Sequence, residues 1–246
     1  MARFVGLWSG SEPAGTHREG RLSEPCKVAI VAALEREVWP LVKEWRTTNS
    51  RYEGREFKFF DHEGVVLVCG GIGAEAARRA AEAIITLYRP GLIISAGFAG
   101  GLDPTLAAGD ALNPRMIIDA GDGSRSDSGR GEGVLVSFGA VADSEQKASL
   151  ARAYGADVVD MEAAAVSRCA LAHGIQFTAC KVVSDSRDQR LPPVARFVAP
   201  DGTFQSFRFL AHIALRPWLW VGVGQLAKNT SIAARSLCER LALSTQ

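Results

Sequence analysis

Val28-Ala29-Ile30-Val31-Ala32-Ala33-Leu34-Glu35-Arg36-Glu37-Val38 passes from an unbroken apolar run straight into a charged stretch. Residues 28–33 show no period-two alternation, so as a strand they must be covered on both faces. Glu35 and Glu37 then fall in the first turn of a helix, where carboxylates complement the dipole. A strand buried on both sides that feeds a helix at once opens a β–α unit, and the alternation continues outward from it. Residues 56–60 and 65–69 flank Glu63-Gly64 as a hairpin. Gly70-Gly71-Ile72-Gly73 leads into a helix with Ala77, Ala80, Ala81, Ile84 and Tyr88 on one face and Arg78, Arg79 and Glu82 on the other. Pro90-Gly91 stops that helix, and a strand at 92–96 ends in Gly97-Phe98-Ala99-Gly100-Gly101.

Further strands are expected at 116–120, 134–138 and 177–183, and helices at 143–154 and 162–173, the second closed by Gly174. Residues 121–133 are nearly all Gly, Ser, Asp and Arg and read as a flexible surface loop. From Phe204 the chain reads as mostly helical, interrupted at Pro217. The expectation is a mobile leader at 1–25 and one doubly wound, three-layer αβα domain with a central mixed sheet over 27–246. Neither a linker nor an internal repeat divides it.

Composition removes whole classes of function. With 28 basic and 27 acidic side chains the net charge is +1, which is no footprint for nucleic acid. At 47% hydrophobic, 246 residues bury a sizeable core. Five scattered cysteines without a C-x-x-C pair, and four scattered histidines, predict buried reduced thiols and no metal site. The first residues lack a signal-peptide core, and no stretch approaches the ~20 apolar residues of a membrane span, so the expected location is the cytoplasm.

Open α/β sheets bind ligands beyond the carboxyl ends of their strands. Four segments bring acids or glycines there: Ala33 to Val38, Ser95 to Leu102, Val159-Asp160-Met161-Glu162-Ala163, and Val182-Val183-Ser184-Asp185. Each carboxylate also has an ordinary role as a first-turn or capping residue, so spacing alone names no reaction. Gly71-Ile72-Gly73-Ala74-Glu75-Ala76 fits G-x-G-x-x-A, which keeps an NAD(P)-binding oxidoreductase as an alternative. Against it, the next strand ends in Ser95-Ala96-Gly97 rather than in the acid that holds a ribose.

Taken together, the segments Val28 to Val38, Gly71-Ile72-Gly73, Ala96 to Leu102, Asp160-Met161-Glu162-Ala163 and Ser184-Asp185 resemble the methylthioadenosine/S-adenosylhomocysteine nucleosidases of the purine nucleoside and uridine phosphorylase family, in the same order. The resemblance implies cleavage of the N-glycosidic bond of a purine nucleoside without a cofactor, in a homo-oligomer, with a dimer favoured. Asp185 would be the general acid toward purine N7, a role that asks for a desolvated, partly protonated carboxyl group. Glu37 would activate the attacking water. Glu162 would hold the ribose hydroxyls, Met161 would pack on the ribose, Ser184 would support the base, and Gly97 and Phe98 would border the sugar. Asp160 is expected to be structural.

The stretch Ser184 to Pro193, the later Pro200-Asp201-Gly202, and Arg216-Pro217-Trp218 look most like the hopanoid-associated branch, whose implied reaction removes adenine from adenosylhopane. Family phosphorylases hold phosphate, their co-substrate, with an arginine and a serine, and the matching positions here are Ser95 and Phe98. A Gly-Asp-Pro phosphate loop is likewise replaced by Ala33-Leu34-Glu35, leaving Arg36 and Arg115 as the residues able to restore phosphate binding. Water is therefore the expected nucleophile, with phosphorolysis and a non-catalytic nucleoside-binding module as alternatives. Phe98, Phe204, Phe207, Phe209, Trp218 and Trp220 are candidates to line an apolar path for the 5′ substituent, with peripheral contact at the membrane surface; the tryptophans are alternatively helix core or subunit interface.

Overall fold

The structure is a computed structural model and describes residues 26–199 and 201–244. The expected leader at 1–25, and Pro200, lie outside the described residues. In chain order the elements are β1 Val28–Ala32, α1 Glu35–Val42, β2 Arg46–Tyr52, β3 Arg55–His62, β4 Val65–Cys69, α2 Ala74–Tyr88, β5 Leu92–Gly101, β6 Ala111–Leu112, β7 Met116–Asp119, β8 Arg125–Asp127, β9 Val134–Ser137, α3 Ser144–Tyr154, β10 Val158–Asp160, α4 Ala163–Ala172, β11 Gln176–Asp185, α5 Ser206–Ala214 and α6 Trp220–Ser244. Short 3-10 turns at Val194–Phe197 and Pro217–Leu219 precede α5 and α6.

The strands form one mixed sheet in the order β2-β3-β4-β1-β5-β10-β9-β7-β8, with β11 paired to β5 and β6. Pairings β4–β1, β1–β5, β5–β11, β10–β9 and β9–β7 are parallel, whereas β2–β3, β3–β4, β5–β10, β7–β8 and β6–β11 are antiparallel. Helices α2 and α4 pack together on one face, and α1 and α6 on the other, giving the expected three layers. The α2/α4 face closes over Ala77, Ala80, Ile84 and Val166, and the α1/α6 face over Val38, Val42, Leu237 and Leu241. β1 reads as a two-face-buried strand because both layers need its apolar side chains: Ala29 and Val31 face one cluster, Ile30 and Ala32 the other.

Two expectations need correction, and one strand goes unpredicted. Residues 121–133 are not all loop, since β8 pairs with β7 there. Its Arg-Ser-Asp sequence carries no apolar signal because an edge strand faces water. β2 is likewise a polar edge strand, Arg-Thr-Thr-Asn-Ser-Arg-Tyr, that the apolar patterning passes over. β5 does not end at Ala96 but continues through its glycines to Gly101. Its last residues lie between β11 and β10, with Gly100 paired to both Val159 and Asp185. That extension carries β5 into the wall of the cleft described next.

Candidate active site

A cleft holding about 1000 Å³ of space, its open mouth included, lies over the ends of β1, β5, β10 and β11. All of the predicted residues meet there: Glu37, Gly97, Phe98, Met161, Glu162, Ser184 and Asp185 line it, together with Asp160. Glu37 comes from the first turn of α1, where its backbone N–H closes onto Leu34. Glu162 is the residue before α4, and its Oε1 accepts the backbone N–H of Gly73 at 2.7 Å while Oε2 accepts that of Met161 at 3.2 Å. The glycine turn that resembles a dinucleotide fingerprint therefore holds a carboxylate of this protein at the head of α2. A pyrophosphate on that turn would meet Glu162 instead of a free donor. Gly97 adopts φ +148, and a Cβ built there would lie 3.0 Å from Glu37 Oε2, so glycine is what lets the carboxylate reach the cleft.

Two lysines absent from the sequence-based set organise the charge. Lys181 on β11 is 1% exposed, and its Nζ lies 2.8 Å from Asp160 Oδ2. Asp160 is otherwise consumed by structure: Oδ1 accepts from Ser137 Oγ at 2.6 Å, and Oδ2 accepts the backbone N–H of Ala163 at 2.9 Å at the start of α4. Burial, then the neighbouring Glu162, pushes the Glu37 carboxyl up to about 8, against the pull of Lys181 and Arg36. Burial, then Asp160, raises Glu162 to about 7, again against Lys181. Lys181 responds in kind. Burial alone would lower it, but Asp160, Glu162 and Glu37 outweigh that and hold the ammonium above its ordinary value. Glu37 Oε2 is buried without a hydrogen-bond partner among the described residues.

The opposite wall holds Asp185, 6% exposed at the end of β11. Ser184 Oγ donates to its Oδ1 at 2.7 Å, and its Oδ2 is ion-paired with Lys147 of α3. The expected desolvation is present, yet Asp185 is the partner of a buried ammonium rather than an isolated carboxyl group. Lys181 had a readable signal: a lysine inside the apolar run Phe177 to Val183 requires an acid opposite it. Lys147 had none, because a lysine in an otherwise polar helix reads as solvated.

Of the aromatic candidates, Phe98 and Phe204 line the cleft. Phe209 packs behind, its ring centroid 5.6 Å from that of Phe204 and 5.3 Å from that of Phe197. Phe207, Trp218 and Trp220 do not line it and are not helix core; they are 85%, 73% and 55% exposed. Leu191, Val194, Val198 and Leu226 complete the apolar side. Arg36 is at the mouth with its guanidinium 5.0 Å from the Phe204 ring centroid, whereas Arg115 is paired to Asp127 at 3.2 Å on the β7–β8 edge and does not line the cleft. Among the described residues, no helix is long and apolar enough to cross a membrane.

A mixed-sheet α/β protein with buried carboxylates gathered over its strand ends belongs to the class of folds that bind small molecules at that edge. The family model of the phosphorylase superfamily matches residues 27–140 and 132–201, and the chain belongs to this superfamily. It is 33% identical over 88 residues to a 5′-methylthioadenosine/S-adenosylhomocysteine nucleosidase of Baumannia cicadellinicola, and 35% identical over 95 residues to that of Staphylococcus haemolyticus. Those matches take in 35% and 37% of this chain and span only 38% and 41% of the relatives' lengths. In fold it is similar to the Neisseria meningitidis nucleosidase of the same name solved with methylthio-immucillin-A (TM-score 0.65, 20% identity, 88% of this chain and 97% of that one). It is also similar to the futalosine hydrolase of Helicobacter pylori (TM-score 0.66, 16% identity, 89% and 96%).

Proposed function

We propose that this protein is an enzyme that hydrolyses the N-glycosidic bond of a 5′-modified adenine nucleoside, releasing adenine without a cofactor. The observation that carries the reading is the surplus of acidic groups at the cleft: Glu37, Asp160, Glu162 and Asp185 stand against two buried lysines, Lys147 and Lys181, and Arg36 at the mouth. Such a surplus of carboxylates suits the positive charge that develops on the sugar as the bond to the base breaks. It opposes a phosphate anion, and Phe98 offers no donor to hold one. Asp185, supported by Ser184, serves the leaving purine. Glu37 receives the proton of the attacking water through its unpartnered Oε2. Glu162 holds the ribose hydroxyls, with Met161 against the sugar.

The apolar side formed by Phe98, Phe204, Leu226, Val194 and Val198 supports a hydrocarbon 5′ substituent, as in adenosylhopane, and hence a place in hopanoid biosynthesis. Peripheral membrane contact is part of this reading. Phe207, Leu210, Leu215, Trp218 and Val221 are exposed beside that side, and residues 202–238 contain four Lys and Arg but no acid. A homodimer is proposed on the family resemblance. The test is incubation with a panel of 5′-substituted adenosines, from methylthioadenosine to long apolar chains, with and without phosphate. Free adenine and free ribose product, faster for the apolar chain, are expected. Ribose 1-phosphate would move the enzyme to phosphorolysis, preference for the short substrate would remove the hopanoid assignment, and no base release from any would leave a binding module.

A further inference from the structure

The leaving-group side of the cleft holds a buried cation that the reading above does not use. Lys147 of α3 is 1% exposed, as deep as any charged group described. Its Nζ lies 2.8 Å from the carbonyl oxygen of Ser186 and 3.3 Å from that of Asp185, and it is ion-paired with Asp185 Oδ2. The chain makes room for this reach. A Cβ built on Gly100 would fall 2.9 Å from Lys147 Cε and 3.2 Å from its Nζ. With Ser184 Oγ 2.7 Å from Oδ1 and the Lys147 ammonium on Oδ2, both oxygens of Asp185 have a partner able to donate. A carboxylate has no proton to give a departing base. The ammonium beside it has.

We infer that Lys147 is the positioning residue of the leaving-group acid and the source of its proton. The inference rests on the proposed cleavage of a purine nucleoside. As the C1′–N9 bond breaks, its electron pair goes to the purine. One proton passes from Lys147 Nζ to the Asp185 carboxylate, and from Asp185 to N7, so that the base departs neutral. The sugar is left with the positive charge, water adds at C1′, and the water's proton goes to Glu37. Lys147 ends as a neutral amine, and Glu37, which enters the step ionised, ends with one proton more. Exchange with bulk water after release of the base restores both.

The experiment compares leaving groups on the full chain. The substrates are the 5′-substituted adenosine that the wild type cleaves fastest and the same riboside of 6-chloropurine, a base that leaves with less need of a proton. Lys147→Met should lower kcat for the adenine substrate about 10²-fold with KM little changed. For the 6-chloropurine substrate the loss should shrink to roughly tenfold or less, because acid assistance matters less there. Lys147→Arg should be as slow as Lys147→Met on adenine, since a guanidinium keeps the charge but does not release its proton. Gly100→Ala, which displaces the ammonium without removing it, should show the same base dependence in milder form, and it stands in if Lys147→Met does not fold. An equal loss for both bases, a loss in KM alone, or full rescue by Lys147→Arg would reduce Lys147 to a structural clamp and overturn the inference. A wild type that releases neither base fails at the proposed function instead, and takes the inference with it.

Discussion

Replacing Glu37 by Gln tests the site's electrostatics without relying on turnover. Glu37 is 5% exposed, its Oε2 has no partner among the described residues, and burial beside Glu162 raises its carboxyl from 4.5 to about 8. At about 1.4 kcal/mol per pH unit, that displacement makes the ionised side chain about 5 kcal/mol less favourable in the fold than in the unfolded chain. The sign follows from proton binding. Between pH 4.5 and about 8 the folded protein holds a proton that the unfolded chain has lost, so stability is full below 4.5 and falls as pH rises through about 8. Gln carries no such proton. Urea unfolding of wild type and Glu37→Gln across this window should therefore show the variant gaining on the wild type by about 3 kcal/mol from pH 5 to pH 8. Glu162 is common to both proteins. Parallel stability curves, or a wild type that gains on the variant as pH rises, would refute the placement of Glu37 as a buried carboxyl crowded by Glu162.

Lys181→Met should destabilise the protein by about 3 to 5 kcal/mol in urea unfolding at neutral pH, because it leaves Asp160 buried without its cation; an unchanged midpoint would show that the pair is dispensable. Gly97→Ala should keep the overall fold by circular dichroism yet lower kcat/KM on the order of 10-fold to 10²-fold, since its Cβ would press on Glu37 Oε2 from a backbone that disfavours side chains. Sedimentation with phosphatidylglycerol vesicles should capture the wild type, and Trp218→Asp should weaken capture about tenfold or more as one exposed anchor is lost. Equal sedimentation of the two, or none of the wild type, would remove membrane contact from the proposed function.

The three-layer architecture was readable because its buried strands are the most apolar parts of the chain. Residues 28–33 and 65–69 have no other way to be satisfied than burial between two helical layers. The edge strands β2 and β8 were not readable, since water on one side removes the pattern by which a strand is recognised. Among the site residues, Glu37, Glu162 and Asp185 were identified by resemblance, and their convergence on one cleft is a property of the fold. The ion partners lie elsewhere in sequence: Lys147 is 38 residues from Asp185, and Lys181 is on a different strand from Asp160. Pairing at such range is set by the register of β11 against β5 and by where α3 packs against β10. Neither is written in local spacing. The aromatic candidates divided for a related reason. Phe204 precedes α5 and folds back onto the cleft, while Phe207, three residues on, points to solvent.

In the proposed reaction, the raised carboxyls would make the cleft selective for positive charge. In the free site, Glu37 and Glu162 bind protons more tightly than exposed carboxyl groups do, first because they are buried and then because each has an acidic neighbour that Lys181 does not fully offset. Positive charge appearing on a sugar between them supplies what Lys181 does not, and it lowers the cost of ionising both. In the proposed reaction Glu37 acts from its ionised form, and positive charge on the sugar stabilises that form while water loses its proton. A neutral nucleoside gains little from these groups, whereas a sugar carrying positive charge gains the full interaction, so their energy is directed at the bond-breaking step. A phosphate dianion at the same place would act in the opposite sense, raising both carboxyls further and leaving Glu37 protonated. Under the proposed function, the same electrostatics that make the pocket costly to ionise favour water over phosphate as the nucleophile.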